Sequence, residues 1–325
     1  MKPAFHHKLL NGPFGDPCLL VRIIRERRSL LFDLGDIHAL TPSALNRVTE
    51  VFITHTHIDH FIGFDLLLRA SLRRAAPLRI YGPRGIIRNV QGRLAGYTWN
   101  LIAHYPVRLT VFEYHGRLLT GAEFRGETHF RKQPLGRVPC DGLLLEDPVL
   151  TVRAAVLDHG VPCLAYALEE KLQVNIDKDR LVRKGLSVGP WLTEFKKRVK
   201  AGRTGGSLLV NGKCYPMRDL AGIARTAKGQ KVCYATDIGM SEKNIVRLKA
   251  LAESADVFYC EAYFMEKDRD LGAERFHLTA RECGRISRLA RARSLHPMHF
   301  SPRYHGHAEE LIEEVREEFG RPVSG

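Results

Sequence analysis

Apolar residues fall into short runs broken by turn signals, and two periodicities follow one another along the chain. Residues 18–24, 29–33 and 50–54 are rich in Leu, Val, Ile and Phe, and the second run ends in Leu34-Gly35, which predicts strands. Residues 61–74 read as a helix, and 78–81 as a short strand closed by Gly82-Pro83. Further strands are expected at 149–157, 163–168, 231–236 and 256–260. Thr279, followed three residues later by Glu282, is a capping-box pattern that opens a helix. A last helix, 309–319, puts Leu311, Ile312, Val315 and Phe319 on one stripe and stops at Gly320. Clusters of strands followed by helices, in both halves, predict an α/β fold with helices packed outside two facing sheets.

Residues 172–230 break this rhythm. Glycines at 185, 189, 202, 205, 206, 212, 222 and 229 surround short apolar pieces such as 207–210, which predicts a protruding, partly mobile insertion in a single domain spanning 1–325. Charge sharpens the contrast. Lys and Arg number 50 against 36 Asp and Glu, a formal +14. Residues 61–140 hold 13 basic and 4 acidic side chains and residues 171–231 hold 15 and 4, so the rest of the chain is net negative. Two basic blocks on an acidic background point to a polyanionic partner, because each neutralised phosphate releases counterions. A solvated, solubilising surface is the plainer alternative.

A chain with 44% hydrophobic and 26% charged residues can bury a core without staples. Its seven cysteines, an odd number, form no CxxC, which argues against a zinc ribbon or a disulfide framework and fits a reducing compartment. No stretch approaches 18 apolar residues and residues 1–11 lack a long apolar run, so neither a membrane span nor a signal peptide is expected and the protein reads as cytoplasmic.

Thr54-His55-Thr56-His57-Ile58-Asp59-His60 directly follows the apolar Val51-Phe52-Ile53. A strand running into this motif would deliver His55 and His57 to one side, with Asp59 and His60 on the turn entering a helix. Three imidazoles and a carboxylate within six residues form a nitrogen and oxygen ligand set suited to zinc. One metal takes three or four ligands, so a pair of metals needs more. Scanning the C-terminal ends of predicted strands for His and Asp finds three: His159, Asp237 and His299.

With these elements the chain resembles the metallo-β-lactamase superfamily and, within it, the ribonuclease Z family, endonucleases that remove the 3′ trailer from precursor tRNA. The resemblance runs from about residue 29 to 305. It is carried by Asp33-Leu34-Gly35, by His55-Thr56-His57-Ile58-Asp59-His60 with Gly63, and by Tyr81-Gly82-Pro83-Arg84-Gly85. Asp158-His159-Gly160-Val161-Pro162, Thr236-Asp237 and His299-Phe300-Ser301-Pro302-Arg303-Tyr304 continue it. Cys260-Glu261-Ala262, His277 and Thr279 add to it, as does Gly189-Pro190 in the glycine-rich segment.

The resemblance implies a four-layer αββα sandwich, with the 172–230 insertion as an RNA-binding arm. It implies two zinc ions per chain, or another divalent metal such as manganese. One would be held by His55, His57 and His159, the other by Asp59, His60 and His299, with Asp237 bridging. A metal-bridging hydroxide would cut the phosphodiester, Asp59 orienting it and His277 acting as general acid. Asp33 is read either as a turn former or as a hydrogen-bond partner of a ligating His. Arg303 is read as a phosphate contact or a plain surface charge. Lys196, Lys197 and Arg198, just after Gly189-Pro190, are expected to grip the tRNA body. A homodimer is also implied. The chain departs from the family's usual start, a Gly-Thr-Gly loop followed by Pro-x-Lys-x-Arg, reading instead Leu10-Asn11-Gly12-Pro13-Phe14-Gly15-Asp16-Pro17. Residues 93–140 also match poorly. A hydrolase of the same fold acting on a small phosphodiester, thioester or lactone, and a silent RNA-binding module, are the competing functions.

Overall fold

Side chains alternate across an extended segment, so a strand that is apolar on both faces must be covered on both. The computed structural model of the protein describes residues 4–24 and 26–324; residues 1–3 and the last residue of the expected 1–325 domain lie outside them. Strands β1 (Phe5–Leu9), β2 (Leu19–Ile23), β3 (Arg28–Phe32), β4 (Val48–Phe52), β5 (Leu78–Pro83), β6 (Arg108–Tyr114), β7 (Leu118–Arg125) and β8 (Gln133–Pro139) lie side by side in sequence order. This sheet is mixed: the pairs from β3 to β6 are parallel and the flanking pairs antiparallel. The chain continues through β9 (Leu143–Glu146), β10 (Leu150–Asp158) and β11 (Pro162–Glu170). It then forms β12 (Gln173–Ile176), β13 (Ser207–Val210), β14 (Lys213–Pro216) and β15 (Ala224–Ala227), and returns as β16 (Lys231–Ala235), β17 (Val257–Glu261) and β18 (Leu295–Met298). The second large sheet runs β18-β17-β16-β11-β10-β9 and is also mixed.

Between the sheets, Leu30, Phe32, Phe52 and Tyr81 meet Leu164, Tyr166, Val232 and Tyr234 in one buried cluster. Phe32, Phe52, Tyr81 and Phe112 stack ring on ring across neighbouring strands, with centroids 5.1, 5.0 and 4.9 Å apart. Leu31, Val51, Ile53 and Ile80 on the outer face of the first sheet pack against the helices Phe64–Ser71 and Ile86–Ala95. The outer face of the second sheet is built from small residues, Ala165, Ala167, Cys233, Ala235 and Cys260, under the helices Glu242–Ala252, Ala280–Leu289 and Ala308–Phe319. The layers are therefore αββα, the metallo-β-lactamase architecture. The last two helices cross so closely that a Cβ on Gly284 would stand 2.6 Å from the carbonyl oxygen of Val315.

The capping box at Thr279 and Glu282 forms as expected, and Leu311, Ile312, Val315 and Phe319 are all buried. The helix expected over 61–74 is instead two, Ile58–Phe61 and Phe64–Ser71. Gly63 separates them because its backbone presses against the Asp33-Leu34-Gly35 turn, where an added Cβ would lie 2.4 Å from the oxygen of Gly35. Strands β1, β6 to β9, β12, β14 and β15 are not among the expected elements. β8 explains why: it is an edge strand with prolines at both positions 134 and 139, and six of its seven residues are exposed.

Residues 170–229 form a compact unit of their own. Leu181, Trp191, Phe195, Leu208, Met217 and Leu220 make its core, under the helices Lys178–Arg183 and Trp191–Lys200 and the hairpin β13–β14. The glycine-rich insertion has a core of its own, with Gly185, Gly202, Gly206 and Gly212 serving its turns at positive φ. Among the described residues, no helix is long and apolar enough to cross a membrane.

Candidate metal centre

Strands from both large sheets end at one place. β3 delivers Asp33, β10 His159, β16 Asp237, β17 Glu261 and β18 His299. Asp33, Asp237 and His299 each take left-handed backbone, at φ 59°, 57° and 57°. That conformation costs non-glycine residues on the order of 1–3 kcal/mol and concentrates at functional sites. The histidine motif departs from the sequence expectation in one respect. β4 stops at Phe52, so His55 and His57 lie in the loop beyond it rather than alternating along a strand. The loop is instead pinned by Asp33, which accepts from the backbone N–H of Thr54 at 2.7 Å and from its hydroxyl. His57 then stands at the N-cap of Ile58–Phe61, and that helix carries Asp59 and His60.

The result is a tight cluster. Ligand atoms of His55, His57, His159 and Asp237 all lie within 4.8 Å of one another, and those of Asp59, His60 and His299 do the same. A third such grouping joins Asp237, Glu261, His277 and His299. Asp237 connects them, with Oδ2 3.0 Å from Nε2 of His60 and Oδ1 3.4 Å from Nε2 of His159. Asp59 Oδ2 sits 3.4 Å from His60 and 3.5 Å from His299. Glu261 is fully buried and accepts from the backbone N–H groups of Asp237, Ile238 and Leu278 as well as from Nδ1 of His277 at 3.1 Å. With Nδ1 of His299 also 3.5 Å from Oε2, five donors surround its two oxygens, so it acts as an organiser.

Hydrogen bonds fix which imidazole nitrogen faces the centre. His60 directs Nδ1 at Asp33, 2.9 Å away, and His159 directs Nδ1 at the carbonyl of Phe276, 2.8 Å away. Both arrangements leave Nε2 for the middle of the cluster. Nε2 of His55 and Nε2 of His60 are buried without a hydrogen-bond partner; the second lies at ion-pair distance from Asp237 but outside hydrogen-bond geometry. An orphaned buried imidazole nitrogen is costly unless something binds it. Charge is balanced the same way. Burial, reinforced by His60, pushes the basicity of His55 down to about 2, so it stays a neutral donor. Burial pushes Asp59 up, but the imidazoles of His299 and His60, 3.5 and 3.4 Å away, overcome it and hold the carboxylate well below its usual range. Burial pushes His60 and His299 down, but Asp237 outweighs it and pushes both up, a positive charge whose place a bound metal would take. Imidazoles and ionised carboxylates in two overlapping groups, with unpaired inward nitrogens on His55 and His60, fit a divalent metal centre.

Of the other expected residues, His277 joins the cluster. It stacks on Tyr263 with centroids 4.0 Å apart and lies 4.8 Å from the ring of His159. Arg303 lies over the ring of Phe264 and 3.3 Å from Asp268. Lys196, Lys197 and Arg198 sit on the helix Trp191–Lys200 of the separate unit, where Arg198 is tied to Glu194 and to the carbonyl of Ser207, both at 2.9 Å. Sequence reasoning gave no role to Glu261, Tyr234 or Thr236. Tyr234 donates to Asp33 at 3.0 Å, and Thr236 lies 3.1 Å from Nδ1 of His299. Glu261 was findable, since it ends a strand as Asp33 does, but a scan restricted to His and Asp passes over it.

Comparisons agree with this geometry. No family model matches the chain. Ribonuclease Z of Deinococcus radiodurans is 31% identical over 280 residues, covering 85% of this chain and 83% of that one. Ribonuclease Z of Bacillus cereus is 28% identical over 310 residues, covering 93% and 88%. Among solved structures, the metallo-β-lactamase fold protein YhfI from Bacillus subtilis superposes with a TM-score of 0.57 at 17% identity, covering 98% and 94%. The short form of human tRNase Z gives 0.55 at 19%, covering 98% and 95%. The structural likeness establishes the fold, and the sequence likeness to the Deinococcus enzyme, extending over most of both chains, establishes more: the chain belongs to the ribonuclease Z family of hydrolytic enzymes.

Proposed function

We propose that this protein is a zinc-dependent endoribonuclease that removes the 3′ trailer of precursor tRNA, acting in the cytoplasm as a homodimer. The observation that carries the reading is the convergence of seven His and Asp donors around the unpaired Nε2 atoms of His55 and His60, in a chain of this family. One zinc ion would be held by His55, His57 and His159 and a second by Asp59, His60 and His299, with Asp237 reaching both. Bound there, the pair supplies Lewis acidity and positive charge toward a phosphodiester.

The chain's own groups divide the remaining work. Asp59, whose side chain is 37% exposed, faces the open side of the cluster as an ionised acceptor that orients the attacking water. His277 gives a proton to the departing ribose oxygen. Glu261 holds its Nδ1, and the ring of Tyr263 fixes its plane, so Nε2 is the atom left to serve the substrate. The basic blocks support a polyanionic substrate over a small neutral ester. The test is to incubate the zinc-reconstituted protein with end-labelled precursor tRNA and map the cut. One cut at the trailer junction, steeply weakened by salt, is expected. Turnover of a thioester or lactone with intact RNA would overturn the reading.

A further inference from the structure

We propose that a cavity beside the histidine motif binds the first nucleotide of the RNA trailer, making its lining a determinant of substrate choice. This rests on the reading of the protein as a nuclease acting on RNA. The cavity measures about 550 Å³ and is lined by Thr56, Ile58, Ile62, Arg88, Asn89 and Gly92, among others. That volume lies in the range of small-ligand sites.

Three observations give the occupant its chemistry. Ile58 and Ile62 are 74% and 45% exposed, at the start and just past the end of the helix that carries the proposed ligands Asp59 and His60. Such apolar area at the mouth of a polar site suits the flat face of a base. Arg88 is exposed and has no hydrogen-bond or ion-pair partner among the described residues, whereas its neighbour Arg93 is held by Asp65 at 2.5 Å. An unengaged guanidinium beside an apolar surface matches a nucleotide, which joins a phosphate to a base. Asn89 donates its amide N–H to the hydroxyl of Thr56 at 2.6 Å, which turns its own carbonyl oxygen into an acceptor held in place for a base or ribose.

Position decides which nucleotide. Thr56 lies between His55 and His57, so the cavity adjoins the proposed metal centre at that side. His277, the proposed proton donor to the departing ribose oxygen, lies among His159 and His299, with ring centroids 4.8 and 5.8 Å away. The nucleotide that keeps the departing oxygen therefore belongs beside His277, and the nucleotide across the scissile phosphate belongs beside Thr56.

Gly92 provides a clean test, because nothing stands within 4 Å of where its Cβ would be and leucine is the better helix former. Gly92→Leu fills the cavity without touching a ligand. On precursor tRNA, kcat/KM is expected to fall at least about fivefold, the scale of one lost base contact. Arg88→Ala is expected to raise KM. On a precursor with an abasic first trailer residue, the wild type has already lost that factor and Gly92→Leu loses little more. Photo-crosslinking from 4-thiouridine at the same position locates the base independently of cleavage, and crosslinks to residues 56–62 and 86–93 are expected. Equal losses on intact and abasic precursors would overturn the proposal, as would crosslinks elsewhere or a Gly92→Leu effect confined to self-association. A wild type that crosslinks there yet cuts no precursor would leave the pocket standing and refute the proposed function. One that does neither would refute both.

Discussion

The carboxylate of Asp33 stands 2.9 Å from Nδ1 of His60, and the same carboxylate accepts from the backbone and hydroxyl of Thr54 and from the hydroxyl of Tyr234. One fully buried acid at the end of β3 thus sets the course of the histidine loop and the orientation of a proposed ligand on the helix Ile58–Phe61. Asp33→Asn keeps the size of the side chain but replaces an acceptor with a donor, so His60 loses its partner. Zinc affinity should fall about 10- to 100-fold, the usual effect of losing a ligand's outer hydrogen bond. Chelator competition reads this directly, and unchanged affinity would show that Asp33 only shapes the turn.

Elemental analysis after reconstitution should give close to two zinc ions per chain. Stripping them should lower Tm, since a ligand that binds only the folded state stabilises it by mass action. The unpaired Nε2 atoms of His55 and His60 are the groups whose burial zinc would offset. Asp237→Ala should remove most of the difference in Tm between stripped and reconstituted protein, because Asp237 faces both ligand groups. A stoichiometry of one or none in excess zinc would count against the two-metal assignment.

His277→Ala should leave zinc content unchanged and slow cleavage by about 10²–10⁴, the usual contribution of a positioned general acid. Added imidazole should restore part of the rate. Loss of zinc from the variant would make His277 a ligand, consistent with its place in the third donor grouping.

What was legible in the sequence follows from how local each signal is. The seven proposed ligands stood out because packing alone gives no reason for any of them. They are polar residues at or near the ends of apolar runs, in a protein of two apolar sheets. Glu261 stands in such a place too, and only the structure shows its five hydrogen bonds, since three of their donors are backbone groups that no side-chain pattern reveals. Composition marks out the segment 172–230, but the core that folds the unit at 170–229 is illegible for a different reason. Its core residues, Leu181, Trp191, Phe195, Leu208 and Leu220, are spread one or two to an element, and no single element carries enough apolar surface to announce itself. β8 was hidden by being an exposed edge.

His296 offers a pH-dependent stability unrelated to the proposed ligands. It stacks on Tyr259 with centroids 4.7 Å apart, and Tyr259 in turn meets His7 at 2.7 Å. Burial, with a smaller contribution from His7, pushes His296 down to about 4 from an ordinary 6.5. The unfolded chain therefore binds more protons than the folded one between those values, and stability falls as pH drops through that window. His296→Phe keeps the ring stack and removes the titration. Its Tm should decline less steeply between pH 6.5 and 4 than that of the wild type; parallel curves would refute the assignment.

The basic helix Trp191–Lys200 separates its fold from its charge. Trp191 and Phe195 are buried in the core of its unit, whereas Lys197 and Lys200 lie toward its surface. Deleting the helix would destroy the unit and prove nothing about RNA. Arg198 is equally unsuitable, since it bonds Glu194 and Ser207 within the unit. Lys196, Lys197 and Lys200 can be changed to alanine together, and alanine favours the helix. If they contact tRNA phosphates, binding of precursor tRNA should weaken and the slope of log K against log salt should flatten. The flattening should be about 0.7–0.9 for each contact removed. The cut position should not move, because phosphate contacts carry no base information. Hydrolysis of methyl p-nitrophenyl phosphate, which is too small to reach beyond one phosphate, should proceed at the wild-type rate. An unchanged salt slope would return these lysines to the role of a solvated surface.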